Sequence, residues 1–204
     1  MVRRSASARR VIEAPEPDFS GRNPETTALI GRKSGSEMSV AYRRFDKEDA
    51  AACASILKAN YCSLGAQRCG IFGRKAEARF EEFISEYSEN RIIRIARDRN
   101  YRVLQLVGGA LAGVVGVAGF MPRGRSAMVV DVSVDPAIHG EGIGSFLVSR
   151  LIEELRSLPL VRILALESSP NAVRLYERLG FRRTIMYQQN YEPADGPVFM
   201  KMYV

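Results

Sequence analysis

The stretch VVDVSVDPAIHGEGIGSFLVSRLIEEL, Val129 to Leu155, contains three segments of different character in a fixed order. Its opening is dominated by valine, the β-branched residue that suits a pleated, packed surface, so it reads as a strand. Its end places Ile143, Phe146, Leu147, Leu151 and Leu155 along one stripe, which predicts an amphipathic helix. Between them stand Gly140, Gly142 and Gly144. The first N–H groups of a helix have no partner inside it and carry partial positive charge, so a helix start can hold phosphate. Glycine removes the Cβ atoms that would keep a phosphate at a distance. The spacing G-x-G-x-G is neither the dinucleotide G-x-G-x-x-G nor a P-loop, which would need Gly-Lys-Ser/Thr. The same glycines also fit a tight strand-to-helix turn needing positive φ, so the loop alone leaves both readings open.

Downstream, VRILALE reads as a strand. SPNAVRLYERLG reads as a helix with Ser169 as N-cap, Pro170 at the first position and Gly180 at the end. FRRTIMYQQNYEPADGPVFMKMYV reads as a final hairpin. Upstream, SAMVVDVSVDP completes the strand before the loop. YRVLQLV, a turn at Gly108-Gly109 and ALAGVVGVAGF read as a hairpin over 101–121. SVAYRRF is a short strand, and DKEDAAACASILKAN a helix opened by Asp46. RKAEARFEEFISEYSE, with Phe80, Phe83, Ile84 and Tyr87 on one face, is a second amphipathic helix. RIIRIA fits helix or strand. Strands alternating with helices give an α/β fold. Residues 1–37, rich in Arg, Ser, Pro and Gly, read as a flexible tail before a domain over 38–204.

Composition narrows the function. The chain has 204 residues, 46% hydrophobic and 26% charged, as in an ordinary globular protein. Its net charge of +7 is scattered among acids, so no nucleic-acid partner is expected. Val103–Met121 runs without a charge, long enough to span a bilayer, but its five glycines and its β-rich start favour the hairpin, and no membrane partner is expected. Cys53, Cys62 and Cys69 form no CxxC pair, and the single histidine cannot complete a zinc set. Reduced thiols, no metal and a cytoplasmic location follow as expectations.

About thirty residues after the loop comes NAVRLYERLGF. The two motifs together resemble the GNAT family, the Gcn5-related N-acetyltransferases. Their loop, usually Gln/Arg-x-x-Gly-x-Gly/Ala, is matched by His139, Gly140, Glu141, Gly142, Ile143 and Gly144. Their second signature is matched by Asn171, Leu175, Tyr176, Gly180 and Phe181. Two positions depart from the pattern: His139 replaces Gln or Arg, and Glu141 fills a slot that is often basic. In the family, main-chain N–H groups hold the phosphates, so Glu141 is expected to face solvent and favour the positive helix end. The resemblance implies a mixed central sheet with a splayed parallel strand pair, here 126–134 and 161–167, flanked by helices.

It also implies a chemistry. Acetyl-CoA would be the cosubstrate, with its pyrophosphate on His139 to Ser145. Its pantetheine arm would lie in the splay, paired with Val134 and bound by Asn171. The Val132 N–H would lie near the thioester oxygen, and Tyr176 would protonate the leaving thiolate. Acyl transfer also needs a base for the amine. Met128 sits where some relatives carry a glutamate, leaving Asp131 and Glu167 as candidates. The expected function is acetylation of a primary amine, on a small molecule or a protein, by a monomer or homodimer. The alternative is a non-catalytic acyl-CoA-binding module. Residues 60–90 and 186–197, which would shape the acceptor site, carry no signature.

Overall fold

The computed structural model describes residues 26–31, 37–72, 87–108, 112–184 and 198–204. In chain order the elements are β1 (Thr26–Gly31), β2 (Glu37–Arg44), α1 (Ala50–Phe72), α2 (Glu89–Asp98), β3 (Arg102–Leu106), β4 (Gly113–Arg123) and β5 (Ser126–Val134). They continue with α3 (Ile143–Arg156), β6 (Ile163–Ser168), α4 (Val173–Arg178), β7 (Arg182–Arg183) and β8 (Val198–Tyr203). The strands form one sheet in the order β1-β2-β3-β4-β5-β6-β8-β7. Neighbours are antiparallel except β5 and β6, which run parallel. The expected mixed α/β fold is therefore present.

The sheet is covered on both faces, which explains its apolar strands. On one face α1 and α2 enclose Cys53, Leu57, Ile92, Ala96, Val103 and Val117. On the other, α3 lays Ile143, Leu147, Leu151 and Leu155, all fully buried, against Leu104, Phe120, Val129 and Leu164. Burying four such side chains contributes roughly 6–12 kcal/mol of transfer free energy. RIIRIA resolves as helix: it lies in α2, whose N-cap Ser88 accepts a hydrogen bond from the Arg91 N–H at 3.4 Å. The apolar stretch 103–121 supplies β3 and β4, and no helix of the described residues is long and apolar enough to cross a membrane. Gly108, one of the two expected turn glycines, has φ +80°; Gly109 lies outside the described residues.

Two boundaries differ from expectation. The stretch assigned to a tail contains β1, whose residues pair with β2 from Thr26↔Tyr42 to Gly31↔Glu37. TTALIG alternates too weakly to announce itself, and cross-strand pairing forms it. Asp46 does sit at an N-cap, but of a 3₁₀ turn, Lys47–Asp49, that precedes α1. The Asp49 carboxylate closes that entry, accepting from the Asp46 N–H at 2.7 Å and from both terminal nitrogens of Arg43 at 2.7 and 2.8 Å. The amphipathic helix expected over RKAEARFEEFISEYSE lies outside the described residues except for Tyr87, Ser88 and Glu89, the last of which opens α2.

Candidate functional site

The parallel pair parts where the resemblance places the splay. β5 and β6 are in register from Ser126↔Ile163 to Val129↔Leu166, and there pairing stops. β5 runs on to Val134 against β4, and β6 runs on to Ser168 against β8. Among the described residues, one edge of β5 beyond Val129 therefore has no strand beside it. The Asp135 N–H bonds the Val115 carbonyl at 2.8 Å, so residue 135 faces β4 and Val134, one step earlier, turns its N–H and C=O the other way, into the gap. The same alternation returns Val132 to the gap edge.

The Val134 carbonyl is already in use. It accepts from the Asn60 side-chain amide of α1 at 2.8 Å and meets His139 Nε2 at 2.8 Å. A carbonyl only accepts, so His139 carries its proton on Nε2. His139 is exposed overall yet ties the start of the glycine loop back to the strand. The Val134 N–H faces the gap, but a strand-like ligand there would have to displace a side chain to use the Val134 carbonyl. Asn60 sits three residues after Leu57 and four after Ile56, on the buried stripe of α1. A polar residue inside that stripe was the readable signal that α1 reaches the gap.

Where β5 leaves β6 the strand is bulged. Val117↔Ser133 is followed by Gly119↔Val130, so Asp131 and Val132 together oppose Ala118. Asp131 takes φ +53°, in the left-handed region that aspartate tolerates better than most residues. Its carboxylate is 5% exposed and makes an ion pair with Arg99. It also accepts from the Tyr101 hydroxyl at 2.6 Å and the Tyr61 hydroxyl at 3.3 Å. Burial, then the Asp131 charge, pushes both phenols well above their ordinary pKa. The Tyr61 ring stacks on Tyr87 at 5.2 Å. Gly119 makes this possible: a Cβ there would lie 2.6 Å from the Arg99 carbonyl oxygen and 2.7 Å from the Tyr101 ring. Asp131 was expected as a candidate base. Both its oxygens instead accept hydrogen bonds from a guanidinium and two phenols, which fix the side chain in place.

The loop between β5 and α3 has the required openness. Gly140 and Gly142 both take φ +83°, and Gly142 is the N-cap of α3 with no side-chain cap. A Cβ on Gly142 would meet nothing within 4 Å. The helix start thus offers main-chain N–H groups at residues 143–145 beside open space, which fits a pyrophosphate. Positive φ meets the turn reading of the glycines at 140 and 142, and the space before Gly142 is clear, as the phosphate reading requires. Glu141 is part-buried rather than fully turned to solvent.

Across the gap, α4 carries Tyr176, 6% exposed, with its ring edge-on to Phe181 at 5.7 Å. Burial pushes its phenol up to about 12, so it stays protonated at neutral pH. Asn171 is exposed on the 3₁₀ turn Pro170–Ala172 that leads into α4; Ser169 caps that turn, without a side-chain bond. Glu167 is exposed on β6 opposite Phe199 of β8. Its neighbours Leu166 and Ser168 are buried, so Glu167 points to the other face from theirs. Met128 pairs with Ala165, inside the joined part of the two strands.

Residues 66–181, more than half of the chain, match the family model described as acetyltransferase (GNAT) family. Several solved structures share the fold. The PaiA N-acetyltransferase of Thermoplasma acidophilum, in complex with coenzyme A, is 15% identical, with a TM-score of 0.61 over 82% of this chain and 100% of that one. A GCN5-related N-acetyltransferase structure from Rhodopseudomonas palustris is 18% identical, with a TM-score of 0.57 over 80% and 95% of the two chains. A chimera of the spermidine N-acetyltransferase SpeG from Vibrio cholerae with hSSAT is 17% identical, with a TM-score of 0.52 over 80% and 95%. No curated protein matches the sequence.

Proposed function

The chain belongs to the acetyltransferase (GNAT) family, and from that membership we propose that it transfers an acetyl group from acetyl-CoA to a primary amine of a small molecule or a protein. The observation that carries the reading is the parting of β5 from β6 after Val129↔Leu166, next to the uncapped start of α3. Acetyl-CoA supplies an activated thioester. The residues of this chain would do the rest.

The N–H groups of Ile143, Gly144 and Ser145, with Gly140 and Gly142 keeping the approach clear and His139 and Glu141 beside it, would hold the pyrophosphate. The Val134 N–H and Asn171 would hold the pantetheine arm. The Val132 N–H would polarise the thioester carbonyl, a preorganised donor acting where charge develops. Tyr176 would hydrogen-bond the departing sulfur. Its phenol, at about 12, is a weaker acid than a free thiol at about 8.5, so its contribution is stabilisation of the thiolate more than complete proton transfer. Glu167, exposed at the parting of the strands, would take the amine proton directly or through water.

The spermidine acetyltransferase among the fold relatives makes a polyamine one acceptor to try, beside free amino acids, peptide N-termini and lysine peptides. The test is release of free thiol when the purified full-length chain is mixed with acetyl-CoA and each of these amines. Acceptor-dependent release is expected. Binding of acetyl-CoA with no release for any amine would replace this reading with a non-catalytic acyl-CoA module.

A further inference from the structure

The splayed half of β5 keeps β4 on one edge but has lost β6 on the other, and the bulge that β4 pairing leaves must be held by something else. Among the described residues, side chains from outside β5 and the glycine loop hydrogen-bond to it. Asn60 and Tyr61, adjacent on α1, bond the Val134 carbonyl and Asp131. Arg99 and Tyr101, on the link between α2 and β3, close on the same Asp131 carboxylate. Gly119 admits Tyr101 to that position, as its missing Cβ is what lets the Arg99–Tyr101 segment lie on β4. Asp131 itself is the extra, left-handed residue of the bulge, and the next residue is Val132. A turn about the Asp131 backbone re-aims the Val132 N–H.

We propose that Asp131 is a positioning residue: its carboxylate, held by Arg99, Tyr101 and Tyr61, locks the bulge where β5 leaves β6 and so sets the direction of the Val132 N–H in the gap. This rests on the acetyltransferase reading above. An oxyanion donor loses most of its effect when it is misdirected, because its worth lies in being aimed before charge develops. Asp131 acts on the thioester carbonyl through Val132 and exchanges no proton with the amine.

The substitutions Asp131→Asn, Asp131→Gly and Asp131→Ala separate the possibilities. Asparagine keeps an acceptor oxygen and tolerance of positive φ; glycine keeps only that tolerance; alanine keeps neither. With acetyl-CoA and the best amine of the panel above, kcat per folded molecule should fall in that order. The loss should reach about a hundredfold for alanine, the scale of removing one oxyanion donor. The Kd for acetyl-CoA, read by calorimetry, should stay within about twofold, because ground-state binding is held elsewhere. Tyr101→Phe, which removes a single hydroxyl, should lower kcat several-fold in the same way and covers the case in which the Asp131 variants fail to fold. Equal, complete loss in all three folded Asp131 variants would make the carboxylate the base and overturn the proposal. Wild-type kcat in folded Asp131→Ala or Tyr101→Phe, with only the melting temperature lowered, would leave the cluster a plain packing feature and overturn it too. No turnover by the wild-type chain with any amine would instead defeat the acetyltransferase reading, and this inference with it.

Discussion

Alanine at Gly142 and at Gly144 should act in opposite directions on stability, and at Gly144 it should also weaken coenzyme binding. Gly142 has φ +83°, and an added Cβ would meet nothing within 4 Å, so the whole penalty is conformational. An L-residue in that region costs about 1–2 kcal/mol. For a chain of this size that lowers the melting temperature by roughly 2–8 °C. Gly144 lies in the first turn of α3 with ordinary helical φ, and its Cβ would stand 3.7 Å from Val134 Cγ2 and 3.9 Å from Leu175 Cδ2, ordinary contacts. Replacing glycine by alanine inside a helix contributes up to about 1 kcal/mol, so the melting temperature should rise by roughly 2–4 °C. Yet that methyl would project between β5 and α4, at the mouth of the gap. Acetyl-CoA should therefore bind Gly144→Ala about tenfold more weakly, a difference near 1.4 kcal/mol. Thermal melts and calorimetric titration with acetyl-CoA read the two effects separately. A Gly144→Ala protein that melts higher and binds acetyl-CoA as tightly as the wild type would refute the reasoning, because the coenzyme would not then pass between Val134 and Leu175.

Three more outcomes follow from the same geometry. Tyr176→Phe should cut turnover by roughly ten- to a thousandfold with little change in acetyl-CoA affinity. Its phenol is raised to about 12 in the fold, above about 10 when unfolded, so it stabilises the protein below pH 10 and that contribution is lost as pH rises toward 12; alkaline melts of the Phe variant should fall less steeply across that window. Glu154→Ala should lower unfolding free energy in urea by about 3–5 kcal/mol, because Arg102, 3% exposed and bonded to Glu154 through Nε at 2.9 and 3.0 Å, would be left as a buried, uncompensated charge. Glu167→Gln should lower kcat/KM most at low pH and least as pH approaches the pKa of the acceptor amine; an identical loss at every pH would remove it as the base.

The chemistry-bearing spine of the fold was legible because its signals are local. Valine-rich β5, the glycine loop and the stripe of α3 each declare themselves within a few residues, and NAVRLYERLGF fixes α4 behind β6. The residues around Asp131 were not legible, because their meaning is tertiary. Arg99, Tyr101 and Tyr61 come from two separate segments and converge only because Gly119 lets one chain lie on another. A lone acid on a strand reads as a candidate base, whereas its partners make it a held carboxylate. Asn60 was closer to readable, since a polar side chain on a buried helical stripe asks for a partner. β1 escaped notice for a different reason: a six-residue edge strand draws its order from the β2 register and carries little of it in its own sequence.

The two sides of the gap are specified by different physics. Among the described residues, the ion pairs with at least one nearly buried member join Arg43 to Asp49, Arg99 to Asp131 and Arg102 to Glu154. All three tie into the β2–β5 part of the sheet; the third also fixes α3, with the Tyr42 hydroxyl donating to Glu154 at 2.8 Å. On the β6–β8 side the described ion pair, Arg183 with Glu177, is exposed. Leu164, Leu166, Met200 and Phe181 hold that side by apolar burial. Buried ion pairs are weak sources of net stability, and in some proteins they instead select one geometry, because any rearrangement strands a charge. Apolar contacts are less directional and tolerate small shifts. In the proposed reaction, the Val132 and Val134 N–H groups thus belong to the ionically pinned wall, while Tyr176 and Glu167 stand on the apolar wall, which the proposal leaves free to adjust to a ligand in the gap.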